Sequence, residues 1–86
     1  MKIKKSMIKR DVAGQIVLVP FGEALKDTNG LFLVSETGSF IWDILPECET
    51  VKDIVDKILI EYEIDEKTAE NDVNKFLDDL RKYDII

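Results

Sequence analysis

The sequence predicts an α+β, winged-helix-like domain in which a three-stranded antiparallel sheet is followed by three helices. Apolar and β-branched runs separated by turn residues fill the N-terminal part of the chain, and such runs are typical of strands. Apolar residues at helical spacing fill the C-terminal half. The last two helical segments are joined by a very short turn, which is the geometry of helix-turn-helix proteins.

The length and composition fit one small domain. The chain has 86 residues, of which 45% are apolar, so residues 1–86 can form a single core. No apolar run approaches the roughly 18 residues that a membrane helix needs, and the basic N-terminus lacks the apolar stretch of a secretory signal. We therefore expect a cytoplasmic protein that makes no membrane contact. The single cysteine, Cys48, cannot form an internal disulfide, and we expect it to be structural.

Charge is distributed unevenly along the chain. The net charge is −6, but five bases precede the first acid, Asp11: Lys2, Lys4, Lys5, Lys9 and Arg10. The acidic remainder would be repelled by phosphate backbones. Residues 1–6 are therefore interpreted as a basic, solvated and partly frayed arm. Contact of this arm with nucleic acid or with an acidic partner is the alternative.

The first two strands are predicted to form a hairpin. Residues 7–12 and 16–19 are rich in apolar and β-branched side chains, and the tight turn Ala13-Gly14-Gln15 lies between them. Pro20 ends the second strand because it has no N–H to donate to the ladder. Residues 21–29 are interpreted as a polar loop that closes with turn-forming residues.

The third strand consists of four apolar residues: Leu31, Phe32, Leu33 and Val34. In a strand, Leu31 and Leu33 would point to one face, and Phe32 and Val34 to the other. If this strand is an edge, its open N–H and C=O groups can accept a strand from a peptide, with Phe76 of the third helix as a wall. Such an edge could also pair two copies of the chain as a homodimer. The alternative, which the residues alone leave open, is that both faces of the strand are covered.

Three helices are predicted after the strands. The first begins after Ser35 and ends at the residue before Pro46, which cannot continue it. The second begins at the capping residue Thr50 and the third at the capping residue Asp65. The third helix has one apolar stripe, formed by Ala69, Val73, Phe76, Leu77, Leu80 and Tyr83. Residues 85–86 are an apolar tail that we expect to pack back on the sheet or on a partner.

Catalytic and metal chemistry have few candidate residues in this chain. It has no histidine and only one cysteine, and its glycines are too far apart to cradle a phosphate. We therefore expect a protein that is not an enzyme and that holds no metal or cofactor. A small winged-helix transcriptional regulator is the alternative. However, the third helix has more acids than bases, and its scattered Lys75, Arg81 and Lys82 disfavour DNA binding.

Four segments, in this order, carry a resemblance to one family. They are RDVAGQIVLVPFGEA (residues 10–24), NGLFLVSETGSFIWDIL (29–45), TVKDIVDKILIEYEID (50–65) and AENDVNKFLDDL (69–80). Together they resemble the pyrroloquinoline quinone biosynthesis protein D (PqqD) family, also called RiPP recognition elements. Phe21 departs from the family pattern, in which a small polar residue such as threonine follows the proline.

The resemblance implies a fold, a function and a site. Members have three strands and three helices, are not enzymes, and bind the leader segment of a ribosomally synthesised precursor peptide. They present it to a modifying enzyme, commonly a radical SAM protein, in pathways that include pyrroloquinoline quinone biosynthesis. The leader adds as a strand beside the third strand, in the cleft with the third helix. On this chain the implied peptide-binding residues are Leu31, Phe32, Leu33 and Val34, with Asp72, Lys75, Phe76 and Asp79.

Overall fold

A computed structural model describes residues 1–27 and 32–86. These residues form three strands, a single-turn helix and three longer helices: β1 (Met7–Val12), β2 (Gln15–Pro20), α1 (Ala24–Asp27), β3 (Phe32–Val34), α2 (Glu36–Ile44), α3 (Val51–Glu61) and α4 (Glu66–Lys82). The three strands form one antiparallel sheet. The predicted α+β class is therefore confirmed, while the winged-helix likeness stays a prediction.

β2 is the central strand of the sheet, and β1 and β3 are its two edges. β1 pairs with β2 along its whole length. The pairing of β2 with β3 is shorter, with Leu18 opposite Phe32 and Ile16 opposite Val34. One side of β3 therefore faces no other strand within the described part of the chain.

The hairpin between β1 and β2 closes through a two-residue turn. Ala13 and Gly14 have φ angles of 53° and 80°, and positive values at both positions are what a type I′ turn requires. The Gly14 N–H donates a hydrogen bond of 3.0 Å to Oδ1 of Asp11. The predicted hairpin is thus confirmed, with Gln15 inside β2 instead of inside the turn.

The segment after β2 differs from the predicted polar loop. Ala24 to Asp27 form the single turn of α1, and the Leu25 N–H donates to the carbonyl oxygen of Gly22 at 3.2 Å. Ala24 and Leu25 are strong helix formers by intrinsic propensity, and Ala24 is buried. The interpretation as a loop is wrong over these four residues, because the helix propensity of Ala24 and Leu25 and the burial of Ala24 outweigh the charges around them.

The three predicted helix caps are confirmed. Each cap oxygen accepts a backbone N–H from three residues later: Ser35 from Gly38, Thr50 from Asp53, and Asp65 from Thr68. The Asp53 carboxylate accepts the N–H groups that precede α3, and Asp65 also accepts the Thr68 hydroxyl. These hydrogen bonds favour the ionised carboxylates, so they hold the pKa of Asp53 and of Asp65 below the ordinary value.

The end of α2 lies one residue before its predicted position. α2 ends at Ile44, and Leu45 to Glu47 continue as a single 3-10 turn. Pro46 fits the first turn of such a helix, where its missing N–H needs no partner. Cys48, which follows, is completely buried, and burial raises the pKa of its thiol. The predicted structural role of this cysteine is confirmed.

The core lies between the sheet and the three longer helices. Its largest completely buried side chains are Leu18, Ile41, Leu45, Ile54, Ile58, Leu77, Leu80 and Ile85. The predicted apolar stripe of α4 is confirmed, except that Tyr83 is half-exposed. α4 packs against α3 and α2, and its Phe76 reaches the ring of Phe32 in β3. None of the described helices is both long and apolar enough to span a membrane.

The basic N-terminal segment packs against the fold, in contrast to the predicted solvated arm. Met1 and Ile3 are partly buried against the core. The Lys4 N–H donates to the carbonyl oxygen of Ile85 at 2.6 Å, and the Lys4 ammonium lies 3.1 Å from the Asp84 carboxylate. The expectation of a frayed arm is therefore wrong, because two apolar side chains and the buried C-terminal tail act as partners that a charge count does not reveal.

Candidate functional site

A cleft of about 430 Å³ lies between β3 and α4. Seven of the eight residues implied as a site line it: Phe32, Leu33, Val34, Asp72, Lys75, Phe76 and Asp79. Leu31, the eighth, lies outside the described residues. The fold therefore brings the strand residues and the helix residues together in one place, and their role in binding stays a prediction.

The side chains of β3 alternate between two faces, as predicted. Leu33 is 63% exposed, whereas Val34 is only 7% exposed and belongs to the core. Phe32 is half-buried and packs against the core, on the same side as Val34. The side chain of Val34 is therefore committed to the core, so the main contribution of this residue to the cleft is its backbone.

Three aromatic rings pack together beside β3. The Phe32 ring meets Phe76 edge-on with centroids 6.3 Å apart, and it meets Tyr83 edge-on at 5.4 Å. Edge-on pairs are favourable because the positive edge of one ring faces the negative face of another. Tyr83 is 50% exposed and extends the aromatic surface beyond the implied residues. Its place on the same helical stripe as Phe76 is the sequence signal that identifies it.

Gly38 allows the first turn of α2 to approach α4 closely. A Cβ atom added at Gly38 would lie 3.2 Å from Cε1 of Phe76, which is tighter than an ordinary contact. The Gly38 N–H also donates to the Ser35 cap at 3.0 Å. The missing side chain at Gly38 therefore fixes where the Phe76 ring sits in the cleft.

Three charged side chains line the helix side of the cleft. Asp72, Lys75 and Asp79 form no ion pair with any residue that the structure describes. On the same helix, by contrast, Arg81 pairs with Asp78 at 3.4 Å. The three cleft charges are therefore available to a ligand. Within residues 1–27 and 32–86, no cluster of His, Cys, Asp or Glu side chains is suited to a metal ion.

The backbone of β3 is open toward the cleft. In the described sheet only β2 pairs with it, and an unpaired strand edge can bond to an added extended chain. Ser35 and Thr37 also line this end of the cleft, although the sequence identified them only as residues near a helix start. The Ser35 oxygen already accepts the Gly38 N–H, whereas no bond of the Thr37 hydroxyl is found within the described residues, so Thr37 is the better candidate of the two for a ligand contact.

The opposite edge strand of the sheet, β1, is tied to a helix by a side chain. Lys9 of β1 donates to Ser39 Oγ at 2.9 Å and to the Asp43 carboxylate at 2.6 Å, which ties β1 to α2. A second cavity of about 450 Å³ lies near this edge, and its lining includes Lys5 and Trp42. None of the seven implied site residues that the structure describes lies in this second cavity.

Comparisons with known proteins agree with the geometry of the cleft. Residues 16–86 match the family described as Coenzyme PQQ synthesis protein D (PqqD). Among solved structures, the chain is similar to one described as TbiB1 in complex with the TbiA(beta) leader peptide, with a TM-score of 0.72 and 30% sequence identity. The similarity covers 99% of this chain and 93% of that one. A search of curated proteins finds no match. The family match extends over most of the sequence, and the chain therefore belongs to the PqqD family.

Proposed function

We propose that this protein binds the leader segment of a ribosomally synthesised precursor peptide and presents it to a modifying enzyme. The observation that carries the proposal is the open edge of β3 running along a cleft with an aromatic wall. The similar TbiB1 structure holds a leader peptide. Its similarity to this chain over nearly the whole length supports the same class of ligand here.

The leader adds as a fourth strand beside β3. Each backbone hydrogen bond across the new edge contributes about 1 kcal/mol net, and it does so for any sequence. Alternate side chains of the leader then face the cleft, where Phe32 and Phe76 provide an apolar surface and three side chains of α4 provide charges: Asp72, Lys75 and Asp79. Affinity therefore comes mainly from the backbone, and the choice of leader comes from the side-chain contacts.

The protein acts by binding and not by catalysis. Holding the leader raises the effective concentration of the attached core peptide at the enzyme, to the millimolar range for a short flexible connection. The sequence supports this role because it lacks histidine and has a single, buried cysteine. The partner we expect is a radical SAM enzyme, as the family resemblance implies, and the cytoplasm is the compartment that the sequence favours.

The same edge supports self-association. Two copies could pair through their β3 edges to form a homodimer. Because this pairing and leader binding would use the same backbone groups, they would compete. Addition of a leader should therefore shift a dimer toward monomeric complexes, which sedimentation velocity can measure.

The direct test is a titration of isotope-labelled protein, followed by the shifts of its backbone amide signals. The probe is a synthetic leader of the short peptide encoded nearest to the gene of this protein. We expect the largest shifts at the residues that line the cleft, which are residues 32–34 of β3 and Asp72, Lys75, Phe76 and Asp79 of α4. Duplex DNA at low salt is the control, since a DNA binder would respond strongly under those conditions.

Two outcomes would contradict the proposal. One is a set of shifts centred on the second cavity near Lys5 and Trp42 instead of on β3. The other is a strong response to duplex DNA together with none to the leader, which would favour a transcriptional regulator.

A further inference from the structure

We propose that the cleft selects leaders in which an apolar residue is flanked, two positions away on each side, by lysine or arginine. This inference rests on the proposed function and names the class of leader that the site takes. It depends on the spacing of the charged residues of α4 along the cleft and on their lack of partners.

The first step is the relative direction of the two walls. Phe32, at the start of β3, meets Tyr83 just beyond the C-terminal end of α4. Phe76, in the middle of α4, lies against Gly38, which follows β3 in the chain. β3 and α4 therefore run alongside each other in opposite directions, and positions on the helix can be matched to positions on an added strand.

The second step is a comparison of spacings. Asp72 lies four residues before Phe76 and Asp79 lies three residues after it, so the helical rise places them about 6 Å and about 4.5 Å to either side along the axis. In an extended peptide, side chains on the same face are about 6.7 Å apart. A leader with an apolar side chain over Phe32 and Phe76 therefore carries its next cleft-facing residues close to Asp72 on one side and Asp79 on the other.

The third step is the charge that those neighbours meet. Neither acid forms an ion pair within the described residues. Lys75 is turned about 100° from Phe76 around the helix, farther than Asp72 and Asp79, which are turned about 40° and about 60°. The acids thus lie nearer to the aromatic surface and Lys75 lies at the rim. The net charge of −6 adds a long-range attraction for a basic segment.

The test starts with selection from a displayed library of random twelve-residue peptides. We expect the selected peptides to be enriched in lysine or arginine two positions before and two positions after an apolar residue. Two synthetic peptides of identical composition then check the spacing, one with its lysines two positions from a central leucine and one with its lysines adjacent to it. The adjacent lysines would face the Leu33 side, so this second peptide should bind more weakly, by roughly two- to fivefold for each lysine.

Charge reversal on the protein tests the named contacts. Asp72→Lys and Asp79→Lys should weaken binding of the first peptide and should restore it when the corresponding lysine is replaced by glutamate. Glu70→Lys is the matched control, because it makes the same charge change on α4 at an exposed position outside the cleft. Circular dichroism of each variant verifies that the helices remain formed.

The outcomes separate this inference from the proposed function. Selected peptides that need Phe76 but show no basic pattern overturn the charge selection and leave leader binding intact. An equal loss in Glu70→Lys and Asp72→Lys also overturns it, because the effect would then be one of net charge. Failure to select any peptide, together with no response to the synthetic leader, overturns both.

Discussion

β1 and β3 are the two edge strands of one sheet, and they differ in length, in charge and in what lies beside them. β1 has six residues, of which Lys9, Arg10 and Asp11 are charged, whereas the three residues of β3 carry no charge. Lys9 folds onto α2 and bonds to Ser39 and Asp43. β3 instead borders a cleft with an aromatic wall.

The difference bears on which edge strand of the sheet can pair with a further chain. Charged side chains on an edge strand oppose pairing with a further chain, since the added strand would cover them. β1 has this protection and β3 lacks it. The proposed leader-binding site is therefore defined as much by the charges that are missing from β3 as by the cleft beside it.

The largest expected effect separates the two faces of β3. Val34→Asp places a carboxylate in the core and should lower the free energy of unfolding by about 4 kcal/mol or more. Leu33→Asp is next in the chain but faces solvent, so its change should stay within about 0.5 kcal/mol. Urea denaturation measures both. Equal losses would mean that both faces of β3 are covered, which would contradict the exposure of Leu33.

The next effect contrasts the two edges through one apolar residue on each. Phe32→Ala removes two aromatic contacts and should lower stability by roughly 2 kcal/mol and leader affinity at least tenfold. Ile8→Ala on β1 is the control: its side chain is 40% exposed, so the stability change should be under about 1 kcal/mol with no change in affinity. Calorimetric titration with the synthetic leader gives the affinities. A comparable loss of affinity in Ile8→Ala would place the guest on the wrong edge.

A smaller effect concerns the closed edge alone. Lys9→Ala removes the hydrogen bonds to Ser39 and Asp43, and it leaves the buried Ser39 hydroxyl without this donor. We expect a loss of about 1 kcal/mol in stability and an unchanged leader affinity. A double-mutant cycle with Asp43→Ala isolates the ion pair. A gain in dimer formation by the Lys9 variant would sharpen the comparison, because it would identify Lys9 as the residue that prevents β1 from pairing with a further chain.

The smallest effect lies away from both edges, at the helix caps. The folded-state pKa of Asp53 and of Asp65 is below the ordinary value because of their hydrogen bonds. Their stabilising contribution is therefore fully present above the unfolded-state pKa of about 4 and is lost as the pH falls through the folded-state value. Urea denaturation at a series of pH values should give a shallower acid slope for Asp53→Asn and Asp65→Asn than for the parent protein. An unchanged slope would mean that these caps do not contribute.

Local signals in the sequence were enough to predict most of the elements. Helices begin after Ser35, Thr50 and Asp65 because the side-chain oxygen of each residue accepts the backbone N–H three residues later. This hydrogen bond is local and needs no contact with the rest of the fold. The third strand was predicted to be an apolar edge candidate, and the residues alone did not decide whether it was covered. The apolar stripe of α4 predicts Phe76 as its wall, whereas Asp72, Lys75 and Asp79 are implied only by the family resemblance.

The features that the sequence missed depend on contacts between distant residues. Met1 and Ile3 pack on the core, and the neighbouring Lys4 N–H donates to the carbonyl oxygen of a residue near the other end of the chain, Ile85. The apolar stripe of α4 places Tyr83 on the same face as Phe76, but its contact with the ring of Phe32 depends on how the sheet and the helix pack together. A hydrophobic residue near a chain end gives no local sign of a neighbour that is distant in the sequence, so these contacts follow only from the fold.

The hydrogen bond between Lys4 and Ile85 has a consequence for how this domain can be joined to a larger protein. It holds residues 4 and 85, which lie near the two ends of the domain, side by side. A domain with its ends joined in this way can be inserted into a loop of a larger enzyme, or fused to it at either end, without being stretched. The domain would keep the unpaired edge of β3 in either arrangement, so the same domain could serve as a separate protein or as part of a larger one.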